Sequence, residues 1–188
     1  MSDTAQTIQS GDIFQQGHFL LSSGMHSPIY VQAALLLQDP QELERLCRDL
    51  ADRFRPLGVE AVVGPAVGGI VIAYEVARQL GVRALWTERV EGRMELRRSF
   101  ALRPGERVLV VEDVVTTGAS AREVRRAVEA ARGRVIGIGT LVDRSGTTLL
   151  FDVPFEAVMT LQLEAHIPAV CPLCREGVPL TKPGAGSR

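Results

Sequence analysis

Residues 107–120 constrain this chain more than any other stretch. The apolar run Val108-Leu109-Val110-Val111 ends in Glu112-Asp113, then Val114-Val115-Thr116-Thr117-Gly118-Ala119-Ser120 follows. A buried strand over Arg107–Val111 is predicted to run through two acids into a short hydroxyl-rich turn and then a helix, Ala119–Arg132, closed by Gly133. Such a turn gathers backbone N–H groups, two threonine hydroxyls and a helix N-terminus in one concavity, which suits a phosphate. Gly118 leaves the backbone free to approach the anion. Twin carboxylates repel anions, so they fit only a ligand that also presents sugar hydroxyls or brings a metal cation.

The pattern around this stretch sets the frame. Asp39 can cap, and Pro40 can start, a helix over Gln41–Phe54, with Leu43, Leu46, Leu50 and Phe54 at helical spacing. Ala61–Val63 reads as a buried strand, Gly69–Leu80 as a helix stopped by Gly81, Arg83–Thr87 and Val135–Val142 as further strands. Glu88–Arg98 is polar, arginine-rich and contains Gly92, so an exposed loop is expected there. Apolar strands alternating with helices imply an α/β fold: an open parallel sheet flanked by helices. Ligands of such sheets bind beyond the carboxyl ends of the strands. The segments after Val63, Thr87, Val111 and Val142 should therefore converge on one site.

Two more segments carry candidate chemistry. Ala66-Val67-Gly68-Gly69 is a second strand-to-helix junction, suited either to an anion held by backbone or to tight packing of helix on strand. Asp143-Arg144-Ser145-Gly146 follows the last parallel strand and places Arg144 at the same edge. A guanidinium fork matches a planar carboxylate. Lys182 is the chain's single lysine, so any cation needed earlier must be an arginine.

The run from Val108 to Ser120 resembles the 5-phosphoribosyl pyrophosphate motif of type I phosphoribosyltransferases: an apolar strand, two acids, two apolar residues, Thr-Thr-Gly. Phe19-Leu20-Leu21-Ser22-Ser23-Gly24-Met25-His26-Ser27-Pro28 is similar to the hood of orotate phosphoribosyltransferases, F-x-L-x-S-G-x-x-S-P. The resemblance spans Gly17 to the C-terminus. It implies a single domain over residues 1–188 with the type I phosphoribosyltransferase fold, a small N-terminal hood at about residues 1–40 and a C-terminal tail at about residues 165–188.

It also implies roles. Glu112 and Asp113 would hold the ribose hydroxyls, and Thr116, Thr117, Gly118, Ala119 and Ser120 the 5-phosphate. Ala66, Val67, Gly68 and Gly69 would meet the pyrophosphate, although relatives carry a lysine where Gly68 stands. Arg144 would contact the orotate carboxylate, with Thr117, Ser22, Ser23 and Gly24 near the base; familiar members have a lysine where Ser22 stands. Glu88–Arg98 would be a lid shared between the subunits of a homodimer. Arg89 would bring a cation to the pyrophosphate, with Arg93, Arg97 and Arg98 as further candidates. Asp113, Glu112 and Arg89 thus become the catalytic set, and Mg2+ the expected cofactor. The implied reaction joins 5-phosphoribosyl pyrophosphate and orotate to give orotidine 5'-monophosphate and pyrophosphate, a step of pyrimidine synthesis.

Bulk properties limit the alternatives. A net charge of -1 gives no basis for nucleic-acid binding, which disfavours a regulator that senses the activated sugar without catalysis. A purine or another base in place of orotate is the nearer rival. The nucleotide loop G-x-x-x-x-G-K-[ST] is absent, against a generic nucleotide module. No apolar run reaches membrane length, and Met1–Gln9 is not a secretory leader, so no membrane association and a cytoplasmic location are expected. Cys47, Cys171 and Cys174 do not read as a disulfide framework. Cys171-Pro172-Leu173-Cys174 is a lone CxxC; a tetrahedral zinc site needs four ligands. His166 is a candidate third and Cys47 is too distant in sequence to place. The pair reads as packed, redox-silent thiols, and no metal ligands are assigned.

Overall fold

The computed structural model describes residues 13–21 and 23–182. The chain forms two compact units: one runs from Leu36 to Leu161, and the other combines the segments before and after it.

In the larger unit, six strands are ordered β5-β4-β3-β6-β7-β8. They are β3 (Ala61–Pro65), β4 (Arg83–Val90), β5 (Arg93–Leu96), β6 (Arg107–Val115), β7 (Arg134–Asp143) and β8 (Phe155–Thr160). All neighbours are parallel except β4 and β5, which form an antiparallel hairpin at one edge. Helices α1 (Pro40–Phe54), α2 (Gly68–Leu80) and α3 (Ala119–Ala130) connect and cover the sheet. The α/β expectation therefore holds, with one antiparallel strand added.

Local chemistry explains the elements. Asp39 caps α1 by accepting from the N–H groups of Gln41 and Glu42 at 2.9 and 3.3 Å. Leu46, Leu50 and Phe54 of α1 are almost completely buried. On β6, Val108 and Val110 share one cluster with Ala121, Val124 and Val128 of α3. Each such side chain contributes roughly 1.5–3 kcal/mol by leaving water.

Three local expectations are corrected. Glu88–Arg98 is mostly a β-hairpin, since β4 continues to Val90 and pairs with β5 through Arg89↔Met94 and Val90↔Arg93. Met94 and Leu96, two residues apart on one strand, pack against the core cluster and pull the charged segment into the sheet. Its turn, Glu91-Gly92, has φ of 47° and 82°, the left-handed pair that two-residue hairpins require. The helix after the acids ends at Ala130, and Arg132, with φ 64°, makes the left-handed turn assigned to Gly133. Strand β8 has no counterpart in the sequence reading.

The smaller unit holds the hood. Strands β1 (Phe14–Leu20) and β2 (His26–Val31) form an antiparallel hairpin. The C-terminal segment adds to both edges: Leu20 N–H donates to Thr181 O, and His26 and His166 exchange backbone bonds at 2.7 and 2.8 Å. Hood and tail, read from sequence as separate appendages, are thus one folded piece. Among the described residues no helix is long and apolar enough to cross a membrane.

Candidate active site

Strand β6 is longer than its apolar run suggests. It carries Glu112 through Val115 in register with β7, pairing Glu112 with Thr140 and Val115 with Asp143. The two acids are therefore fixed by the sheet rather than by a loop. Successive strand residues face opposite sides. The Glu112 side chain lines a cavity, whereas Asp113 Oδ2 lies where a Cβ on Gly68 would come within 2.7 Å.

That cavity has a volume of about 260 Å³. Its wall is Arg89, Glu112, Val114, Val115, Thr116, Thr117, Gly118, Ala119, Ser120, Ala121 and Glu123. All five residues expected to hold a 5-phosphate, Thr116 to Ser120, are there, together with Glu112 and Arg89. Gly118 has φ 72° and caps α3, a left-handed conformation that glycine adopts without penalty. A Cβ there would also meet Phe151 and Arg122 at 2.8 and 2.9 Å. Thr117 Oγ1 accepts from Ala119 N–H at 3.3 Å. The first N–H groups of a helix have no intrahelical acceptor and suit an anion.

Glu112 is 5% exposed, and its Oε1 is buried with no hydrogen-bond partner. Burial raises its carboxyl, a Ser120 hydrogen bond lowers it, and the Asp113 charge raises it further, leaving it at about 7. A buried acceptor without a donor is costly unless a ligand supplies one. A ribose hydroxyl is such a donor.

Arg144 and the Ala66–Gly69 junction lie on neighbouring parts of the edge. Arg144 follows β7, and its N–H donates to Val115 O at 2.8 Å, so it joins the edge beside Thr116 without lining the cavity. Ala66–Gly69 leads from β3 into α2, with a cis peptide between Ala66 and Val67 and Ala66 N–H bound to Thr87 O. The contacts at this junction describe the tight-packing reading. Gly68 approaches Asp113, while a Cβ on Gly64 would lie 2.2 Å from Gly69 O, so strand and helix touch through backbone. Ser23 and Gly24 form the exposed tip of the β1–β2 hairpin; Ser22 lies outside the described residues.

Two residues were missed from sequence. Glu123 lines the cavity and accepts from Arg89 at 2.6 Å. Arg122 donates to Thr117 O at 2.7 Å and stacks on Phe151, bracing the turn from behind. Helical spacing was the available signal: Glu123 stands one turn after Ser120, and Arg122 one turn after Gly118.

Comparison with known proteins agrees with this geometry. The phosphoribosyl transferase domain model matches residues 36–173. An orotate phosphoribosyltransferase of Caldanaerobacter subterraneus is 53% identical over 174 residues, covering 93% of this chain and 92% of that protein. Among solved structures, orotate phosphoribosyltransferase from Aeropyrum pernix superposes with TM-score 0.69 at 25% identity, covering 84% of this chain and 93% of that one. Adenine phosphoribosyltransferase from Rhodothermus marinus gives 0.59 at 25% identity, covering 70% and 86%. A matching domain model and a relative covered over 92% of its length converge: this chain belongs to the phosphoribosyltransferase family and, within it, to the orotate phosphoribosyltransferases.

Proposed function

We propose that the cavity at the end of β6 binds the ribose 5-phosphate part of 5-phosphoribosyl pyrophosphate, and that the chain transfers its phosphoribosyl group to orotate, giving orotidine 5'-monophosphate and pyrophosphate. One observation carries the site assignment: Glu112, whose buried Oε1 has no partner, lines the same cavity as Thr116–Ser120. A phosphorylated sugar offers hydroxyl donors and an anion together, and so satisfies both halves.

The residues then divide the work. Thr116 to Ser120 receive the 5-phosphate at the start of α3. Glu112 and Asp113 accept from the ribose hydroxyls and favour positive charge at the anomeric carbon, where oxocarbenium character develops. Arg89 and the Ala66–Gly69 junction take the pyrophosphate. Arg144 is assigned the orotate carboxylate, with Thr117 beside the base; Ser23 and Gly24 rest on the hood pattern alone. Positioning both substrates contributes on the order of 7–11 kcal/mol to lowering the barrier.

Mg2+ fits this donor set, since both acids offer hard oxygens and Oε1 of Glu112 is buried without a partner. Pyrophosphate oxygens and ribose hydroxyls would supply most of the ion's ligands, with Glu112 the acid that lines the cavity beside them. When bound, it would neutralise charge on the departing pyrophosphate. A homodimer and a cytoplasmic location complete the reading. The exposed Arg93 and Arg97 of the hairpin are the side chains that could serve a second subunit, and three unpaired cysteines suit a reducing compartment.

Titration calorimetry with 5-phosphoribosyl pyrophosphate and Mg2+, followed by pyrophosphate release with orotate, adenine and uracil in parallel, tests both halves. Saturable binding and turnover with orotate alone are expected. Absence of binding would overturn the site, and turnover with adenine or uracil instead would overturn the base.

A further inference from the structure

Four side chains outside the machinery above meet within the smaller unit. His18 comes from β1 and His26 from β2, while Cys171 precedes and Cys174 lies within the helical turn Pro172–Arg175. One ligand atom from each lies within 4.8 Å of all the others. The lone CxxC suggested His166 as a partner, but the cluster is completed by His18 and His26 instead.

We propose that His18, His26, Cys171 and Cys174 form a tetrahedral, structural zinc site. The spacing fits. Bonds of about 2.3 Å to sulfur and 2.0–2.1 Å to nitrogen give tetrahedral nitrogen–sulfur edges of about 3.5–3.6 Å. The observed separations are 3.6 Å from Cys171 Sγ to His18 Nε2, 3.7 Å from Cys174 Sγ to the same nitrogen, and 3.3 Å from Cys174 Sγ to His26 Nδ1. His18 Nε2 and His26 Nδ1 stand 2.9 Å apart. They need open by only about 0.4 Å to turn both lone pairs onto one cation.

A second contact prepares His18 for ligation. Its Nδ1 lies 2.7 Å from Val178 O. A carbonyl only accepts, so Nδ1 carries the hydrogen and Nε2 presents its lone pair to the cluster. Histidines that bind metals are characteristically oriented in this way. Two imidazoles and two thiols suit zinc, whereas Mg2+ requires oxygen, so this site is chemically separate from the substrate's cation. Four protein ligands leave no open position for chemistry.

The fold has a use for the ion. A two-stranded hairpin is marginal by itself, and small units with little core are often stapled by a metal. His18, His26 and Cys171 are 3%, 5% and 1% exposed, so the ion would replace part of a core. It would also join residues near the two ends of the chain, closing a long loop.

The test is metal analysis of the full chain, purified under reducing conditions and dialysed against metal-free buffer. Close to one zinc per chain is expected, with near-complete loss in Cys174→Ser, whose exposed position limits the packing cost. Cobalt titration of the stripped parent should give thiolate charge-transfer and tetrahedral ligand-field bands that Cys174→Ser lacks. A parent chain that takes up neither zinc nor cobalt overturns the proposal. So does zinc content unchanged in both Cys174→Ser and His18→Ala, or a Cys171–Cys174 disulfide as the sole species in freshly reduced and purified protein.

Discussion

Arg89 and Glu123 form an ion pair of 2.6 Å, and both side chains line the cavity in front of α3. The Arg89 guanidinium is thus held by a carboxylate, with which an anion entering the cavity would compete. Both side chains are at least about a third exposed, so the pair adds at most about 1 kcal/mol to folding. Its rearrangement is inexpensive. Glu123→Gln should release Arg89 and lower the KM for 5-phosphoribosyl pyrophosphate by up to about fivefold, the equivalent of that pair energy. Arg89→Ala should raise it. Steady-state kinetics with varied activated sugar checks both directions, and a raised KM in Glu123→Gln would contradict the arrangement.

Glu112 should govern the acid limb of activity. With its carboxyl at about 7 in the free chain, kcat/KM should fall about tenfold per unit as pH drops below 7, because that ratio reports free-enzyme groups. In Glu112→Gln this limb should disappear along with most of the activity. A parent profile flat from pH 8 to 5 would refute the assignment.

The same residue carries a stability cost with a defined sign. Its folded pKa lies above the reference 4.5, so the native state binds the proton more tightly than the unfolded chain. Stability is therefore undiminished below 4.5, falls as pH rises through that window, and is lowest above 7. At roughly 1.4 kcal/mol per unit the full cost is about 3 kcal/mol. Glu112→Gln should be more stable than the parent at pH 8 and nearly equal to it at pH 4.5, measured by urea denaturation at each pH.

Arg144 and Asp113 test the two substrates separately. Arg144→Ala should raise the KM for orotate by about 10–100-fold, the worth of a charged hydrogen bond of 1.5–3 kcal/mol, with binding of 5-phosphoribosyl pyrophosphate unchanged. Asp113→Asn should lower kcat with either substrate saturating. Kinetics within twofold of the parent would remove either role.

Gly64 tests the scaffold. Its added Cβ would meet the backbone oxygen of Gly69 at 2.2 Å, with no flexible side chain to yield. Gly64→Ala should cost about 3 kcal/mol or more, at the upper end of overpacking penalties. A denaturation midpoint equal to the parent's would show that β3 and α2 separate easily.

The chain order alone determined the alternation of strands and helices, the cap at Asp39 and the glycine turn after the two acids, because each depends on neighbours within a few residues. Burial, capping and backbone freedom are written locally in Val108–Val111, Asp39-Pro40 and Gly118. The hairpin at Glu88–Arg98 was hidden, because its charges spoke for solvent while Met94 and Leu96 answered to a core assembled from distant segments. Only the tertiary structure decided which acid faces the cavity, that Glu123 holds Arg89, and that His18 and His26 meet Cys171 and Cys174. Those relationships join residues far apart in sequence, and sheet register and chain closure, rather than local propensity, fix their distances.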